Sequence, residues 1–161
     1  MNKLNIAFVA SQGGHSGQMK IIFTPETIGR HNAIFVTETP EKDLTSKEKN
    51  FQSKYKTYFF KKDHLSFYPH RYFIALVRLM RLYRKEKINL LVTNGAHLSL
   101  PAVVAAKFLG IRTIFIDTFI RVKTPTWAAR LSYPFSDLFL VQHENMKKKY
   151  GKKSRHEGSV L

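Results

Sequence analysis

The apolar run Leu4-Asn5-Ile6-Ala7-Phe8-Val9-Ala10 gives way at once to Ser11-Gln12-Gly13-Gly14-His15-Ser16-Gly17-Gln18-Met19. A short apolar run closed by a turn signal reads as a buried strand. The glycines after it let the backbone bend tightly and approach a ligand closely. A helix opening at about Ser16 would aim free N–H groups at an anion such as phosphate. The loop is not a standard nucleotide fingerprint. A Walker loop needs Gly-Lys-Ser/Thr, whereas Lys20 comes after the helix has begun, and Gly13-Gly14-x-x-Gly17 only approaches Gly-x-Gly-x-x-Gly. A tight strand-to-helix turn with no ligand is the alternative reading.

The same alternation continues along the chain. Met19 to Ile28 reads as helix weakened by Pro25, and Ala33-Ile34-Phe35-Val36-Thr37 as a second strand. Glu38 to Lys54 reads as a mobile, solvated loop, and Tyr55 to Phe60 as a third strand. Phe67 to Lys87 is the longest helical pattern, with Phe73, Leu76, Val77, Met80 and Tyr83 forming the expected core face. Its other face carries Arg71, Arg78, Arg81, Arg84 and Lys85. This is an ordinary charged surface or, with Phe67, Tyr68, Tyr72 and Phe73 at its start, a helix lying on anionic lipid. Asn89 to Thr93 is a fourth strand, Asn94-Gly95-Ala96-His97-Leu98-Ser99 a second glycine turn, and Pro101 to Leu109 a helix punctuated by Gly110. Strands at Ile111–Asp117 and Leu138–Val141 and a helix at Glu144–Tyr150 complete the pattern.

Apolar strands such as Thr113-Ile114-Phe115-Ile116 suggest burial on both faces, hence a doubly wound parallel α/β sheet in one domain over 1–161. Sites in such sheets lie beyond the carboxyl ends of strands. The two glycine turns and Asp117-Thr118 all fall there, so three separate loops point to one rim.

Charge limits the partners. Lys and Arg number 27 against 11 Asp and Glu, a net +16. Such an excess suits nucleic acid, an anionic membrane or a phosphorylated substrate. There is no cysteine, so disulfides and thiolate metal sites are excluded. The seven histidines are scattered without ligand spacing, so no metal site is expected. No uncharged run approaches the roughly 18 residues of a spanning helix, and no Gly-x-Ser-x-Gly elbow marks a hydrolase.

Four ordered segments are similar to a known family. They are Gly13-Gly14-His15; Thr93-Asn94-Gly95-Ala96-His97-Leu98-Ser99-Leu100-Pro101 with Ala105 to Ile111; Asp117-Thr118-Phe119-Ile120-Arg121-Val122-Lys123-Thr124-Pro125; and Arg130 to Gln142. Together they resemble the family of asparagine-linked glycosylation protein fourteen and its bacterial PssD-like (CpsF-like) members of exopolysaccharide and capsule synthesis. The first loop also resembles that of MurG-type transferases. The resemblance implies a Rossmann-like, amino-terminal half of a GT-B glycosyltransferase. Such a half recruits a separate small subunit that carries most of the nucleotide-sugar site, with a UDP-sugar expected there and no cofactor on this chain alone. It implies a peripheral position on the cytoplasmic face of the membrane, beside a lipid-diphosphate-linked sugar acceptor. Eukaryotic members carry an amino-terminal spanning segment and none is read in this sequence, so attachment is expected to come from basic and aromatic surface or from other proteins. His143 stands where many relatives have an aromatic such as Trp.

Under that resemblance Gly13, Gly14 and Gly17 are candidates for the acceptor phosphate through backbone N–H groups, with Asn94, Gly95 and His97 on the neighbouring turn. His15 is the candidate base for the acceptor hydroxyl, or else a hydrogen-bonding loop residue. Asp117 orients a hydroxyl or caps the next helix. Arg121 and Lys123 are candidates for the diphosphate or the partner interface, and Trp127 for an interface, lipid or core. Two other functions fit parts of the sequence. A nucleic-acid-binding α/β module would explain the charge but lacks any recognition motif. A stand-alone nucleotide-binding Rossmann enzyme would use Glu38 as its ribose-binding acid.

Overall fold

The computed structural model describes residues 3–11, 14–38, 55–60 and 69–158. Seven parallel strands form one sheet in the order β3-β2-β1-β4-β5-β6-β7. They are β1 (Asn5–Ala10), β2 (Asn32–Thr37), β3 (Lys56–Phe59), β4 (Leu90–Thr93), β5 (Arg112–Ile116), β6 (Leu138–Leu140) and β7 (Ser154–Arg155). Strand order reverses at β1, which pairs with β2 on one side (Val9 opposite Val36) and β4 on the other (Val9 opposite Thr93). This is the doubly wound, Rossmann-like topology, and the gap beyond β1 and β4 is its switch point.

Helices cover both faces. On one, α1 (Gly14–Ile22) and α2 (Pro25–Ile28) bury Met19, Phe23 and Ile28 against Ile6, Phe8, Phe35 and Val92. On the other, α3 (Pro69–Lys85), α4 (Ser99–Phe108), α5 (Trp127–Ser132) and α6 (Glu144–Tyr150) bury Leu79, Leu82, Ala102, Val103, Ala129 and Met146 against Ala7, Val9, Leu91 and Phe115. Each fully buried Leu, Val, Ile, Met or Phe side chain in these layers is worth about 1.5–3 kcal/mol of transfer free energy.

Local chemistry accounts for the departures from expectation. The first helix begins at Gly14, earlier than Ser16, and the 19–28 pattern is two helices. Proline cannot continue a helix. The chain therefore restarts at Pro25, where the Thr24 hydroxyl accepts from the Thr27 N–H at 3.2 Å. The α3 core stripe is Ala75, Leu79, Leu82 and Tyr83, with Leu76 and Met80 partly buried against it. Phe73 is not on that stripe and is 64% exposed. At roughly 100° per residue it lies about 120° around the helix from Leu79. Helix α5, a 3-10 turn at Tyr133–Phe135 and the short β7 add to the expected elements. Of the loop expected over 38–54 only Glu38 is described, and it is buried rather than solvated, at 4% exposure; residues 39–54 and the aromatics Phe67 and Tyr68 lie outside the described residues.

Candidate functional site at the switch point

Three rim loops are tied to one another by side chains. The His15 ring, at the start of α1, donates Nδ1–H to the Asn94 carbonyl at 2.8 Å. Asn94 in turn donates Nδ2–H to the His15 carbonyl at 2.5 Å and lies 3.5 Å from Gln18 Oε1. Gln18 Nε2 donates to the Asp117 carbonyl at 3.2 Å, reaching the end of β5. Strand β4 is anchored beneath by the Thr93 hydroxyl, which donates to the Val9 carbonyl at 2.8 Å.

The β4–α4 turn is shaped to meet His15. Gly95 has φ +100° and Ala96 φ +64°. A Cβ on Gly95 would sit 3.4 Å from His15 Cε1, so glycine here supplies both the backbone angle and the room for the ring. The turn is held from within α4 by the Ser99 hydroxyl, which donates to the Ala96 carbonyl at 2.6 Å.

These bonds determine the ring chemistry. With Nδ1 carrying the proton, Nε2 holds the lone pair. Burial keeps the imidazole below the usual histidine range, opposed by the Asn94 carbonyl and reinforced by nearby His97. The ring is thus neutral at neutral pH and able to accept a proton. Asp117 is only 2% exposed, and its carboxyl is pushed up to about 6, chiefly by burial. The Thr118 N–H at 3.0 Å, Tyr150, His143 and Arg121 hold it back from rising further. The Tyr150 hydroxyl has no hydrogen bond of ordinary geometry, yet lies near enough to this carboxylate to be raised by burial and by its charge. Asp117 does not cap the next helix; that role belongs to Thr126, which accepts from the Ala129 N–H at 3.1 Å.

A cavity of about 520 Å³ opens over the rim, lined by His15, Tyr72, Ala96, His97, Leu100, Arg121, Thr126, Trp127, Ala128 and Leu131. Of the expected residues, His15, His97 and Arg121 line it. Asn94 and Asp117 are buried beneath, and Lys123 is exposed farther along the same loop. Gly14 opens α1 against Ile120, with room for ordinary contact at 3.5 Å. Gly17 lies within α1, where an added Cβ would meet nothing within 4 Å, and Gly13 falls outside the described residues. Leu100 and Leu131 fall within the family-like segments and Tyr72 among the aromatics opening α3, but no motif marks them as one apolar wall. Tyr72 and Trp127 are conspicuous aromatics in the sequence, but only the packing of α3 and α5 around α4 brings them together. Among the described residues no group of three or more His, Asp or Glu is placed to hold a metal ion, and no helix is long and apolar enough to cross a membrane.

The family model described as "Oligosaccharide biosynthesis protein Alg14 like" matches residues 6–160. The chain belongs to the Alg14-like family. It is 26% identical to the UDP-N-acetylglucosamine transferase subunit ALG14 of Debaryomyces hansenii, over 98% of this chain and 76% of the yeast protein. A shorter stretch of 57 residues is 41% identical to the N-acetylglucosamine transferase of Synechocystis sp. that acts on N-acetylmuramyl-(pentapeptide) pyrophosphoryl-undecaprenol; it spans 35% of this chain and 16% of that enzyme. Among solved structures, Acinetobacter baumannii MurG superposes with a TM-score of 0.71 at 14% identity, over 98% of this chain and 45% of that one. The UDP-N-acetylglucosamine 2-epimerase of Rickettsia bellii gives 0.75 at 11% identity, over 99% and 46%. This Alg14-like chain thus spans less than half the length of these solved relatives, and its fold is that of half a GT-B-type molecule.

Proposed function

We propose that this chain is the acceptor-side subunit of a two-component glycosyltransferase of capsular or exopolysaccharide synthesis. A separate donor-binding subunit completes the enzyme and carries the nucleotide sugar, expected to be a UDP-sugar. This chain presents a lipid-diphosphate-linked sugar to it at the cytoplasmic membrane face. The observation that carries the reading is His15, neutral and held in one tautomer, facing a rim cavity beside Arg121 in an Alg14-like chain.

The chemistry follows from that placement. The acceptor hydroxyl attacks the anomeric carbon of the donor sugar. A new glycosidic C–O bond forms, the bond to the nucleoside diphosphate breaks, and the hydroxyl proton passes to His15 Nε2. Arg121 and Lys123, with the N–H groups opening α1, receive the acceptor diphosphate. Membrane contact comes from exposed apolar residues set among cations. Trp127 is 79% and Ile120 64% exposed near Lys123 and Arg130, and Phe73 and Ile74 protrude from α3 between Arg71 and Arg78.

The test is purification of the tagged chain from its own cells in mild detergent, with sugar-transfer assays on the chain, the co-purifying subunit and the pair. A near-stoichiometric small partner, with transfer only by the pair, is the expected result. Transfer by this chain alone, or recovery of nucleic acid without such a partner, refutes the reading.

A further inference from the structure

The loop that carries Arg121 has almost no backbone hydrogen bonding of its own. Between Asp117 and the Thr126 cap of α5, the main-chain bonds among the described residues reduce to the one from the Arg121 N–H to the Thr118 carbonyl at 3.4 Å. Its carbonyls are instead taken by side chains of one distant element. His143 donates Nε2–H to the Phe119 carbonyl at 2.8 Å, Asn145 donates Nδ2–H to the Val122 carbonyl at 2.8 Å, and the Lys149 ammonium donates to the Lys123 carbonyl. These three acceptors bracket Arg121. The donors project from the start and second turn of α6, which is fixed to the sheet by buried Met146 and by the contact of Tyr150 with Phe139. The backbone just before His143 is further held from the residue after β7, since His156 donates to the Gln142 carbonyl at 3.2 Å.

We infer that His143, Asn145 and Lys149 form a clamp that sets the height of the 118–123 loop over the rim, and so positions the Arg121 guanidinium in the cavity opposite His15. His143 is its central member, because it is only partly exposed and holds the loop nearest Asp117. These are positioning residues; none of them lines the cavity. The functional consequence rests on the reading of Arg121 as a diphosphate ligand, but the clamp itself does not. The geometry demands an N–H at the reach of the imidazole Nε2. Glutamine supplies one at that distance, asparagine one atom short.

The experiment is limited trypsin digestion of the full chain, with mass-spectrometric rates for cleavage after Arg121 and Lys123 normalised to cleavage after exposed Arg30. A lost hydrogen bond of ordinary strength predicts about three- to tenfold faster loop cleavage. H143A, H143N and N145A should show that increase, whereas H143Q should cleave like the wild type. Asn145 is exposed, so N145A reports even if a His143 variant misfolds. Unchanged rates in H143A and N145A, or no difference between H143Q and H143N, overturn the clamp. Inorganic pyrophosphate is then added. Protection of Arg121 in wild type and H143Q but not in H143A supports positioning of Arg121 by the clamp. Accelerated cleavage in H143A with no protection in any variant leaves the clamp standing and removes the diphosphate role of Arg121.

Discussion

Replacing Asp117 by Asn should make this protein more stable at neutral pH, against the usual direction for a buried polar position. The carboxyl is pushed up to about 6 in the folded chain, against an ordinary value of 3.8 for the unfolded one. Between those values the folded state holds more protons than the unfolded state, so this group's contribution falls as pH rises. Stability is complete below about pH 4, declines to about pH 6 and is level above it. A difference of roughly two units, at about 1.4 kcal/mol each, is a cost of about 3 kcal/mol at neutral pH. Asn keeps the acceptor for the Thr118 N–H and removes the charge. Its own amide must be buried in exchange, so a net gain of about 2 kcal/mol is the expectation. Urea unfolding of wild type and D117N at about pH 4 and about pH 7.5 reads the result. The midpoints should nearly coincide in acid and separate by roughly 1 M at the higher pH. Coincident midpoints at both pH values, or a variant less stable only at the higher pH, would refute the claim that burial governs this carboxylate. The second outcome would mean that attraction from Arg121 and His143 outweighs desolvation.

Two rim glycines should respond in opposite senses. G95A forces a left-handed angle on an L-residue and crowds the His15 ring, so thermal unfolding should show a loss of about 1–3 kcal/mol. G17A meets nothing and lies in a helix, so the same measurement should show a gain of about 0.5–1 kcal/mol. His15 should titrate below the ordinary histidine midpoint in an imidazole NMR titration, with its nitrogen shifts reporting a proton on Nδ1 in the neutral form. Because the native imidazole resists charging, its contribution to stability is present above the ordinary histidine value and declines as pH falls below it.

The alternation of apolar runs with glycine turns is enough to read a doubly wound sheet and to place three loops on one rim, because strand ends in a parallel sheet all face the same way. His15, Asn94 and Asp117 can be grouped on that ground alone. How they connect cannot. The His15 tautomer depends on where a backbone carbonyl 79 residues away points, and that follows from the positive φ angles of Gly95 and Ala96. Phe73 misleads because its spacing matches the stripe of Leu76, Met80 and Tyr83, yet it sits at the flank of that stripe in the first turns of α3. Helix α5 escapes a reading of periodicity since Trp-Ala-Ala-Arg-Leu-Ser is too short for its period to register; only the Thr126 cap marks its start. Likewise, nothing local in His143 or Asn145 announces that each reaches a carbonyl more than twenty residues upstream.

The pairing of β1 with β4 has a consequence for how the chain acquires its site. The first strand can meet β2 soon after synthesis, but its other edge stays open until Leu90–Thr93 has followed. Contacts of such long sequence separation form late and slowly, since the intervening chain must be closed into a loop first. The amino-terminal half of a nascent molecule therefore carries an unfinished, strongly apolar strand edge, the kind of surface that attracts wrong partners. The His15–Asn94 bond joins the loops that follow β1 and β4, so it can form only where those two strands have paired and that edge is closed.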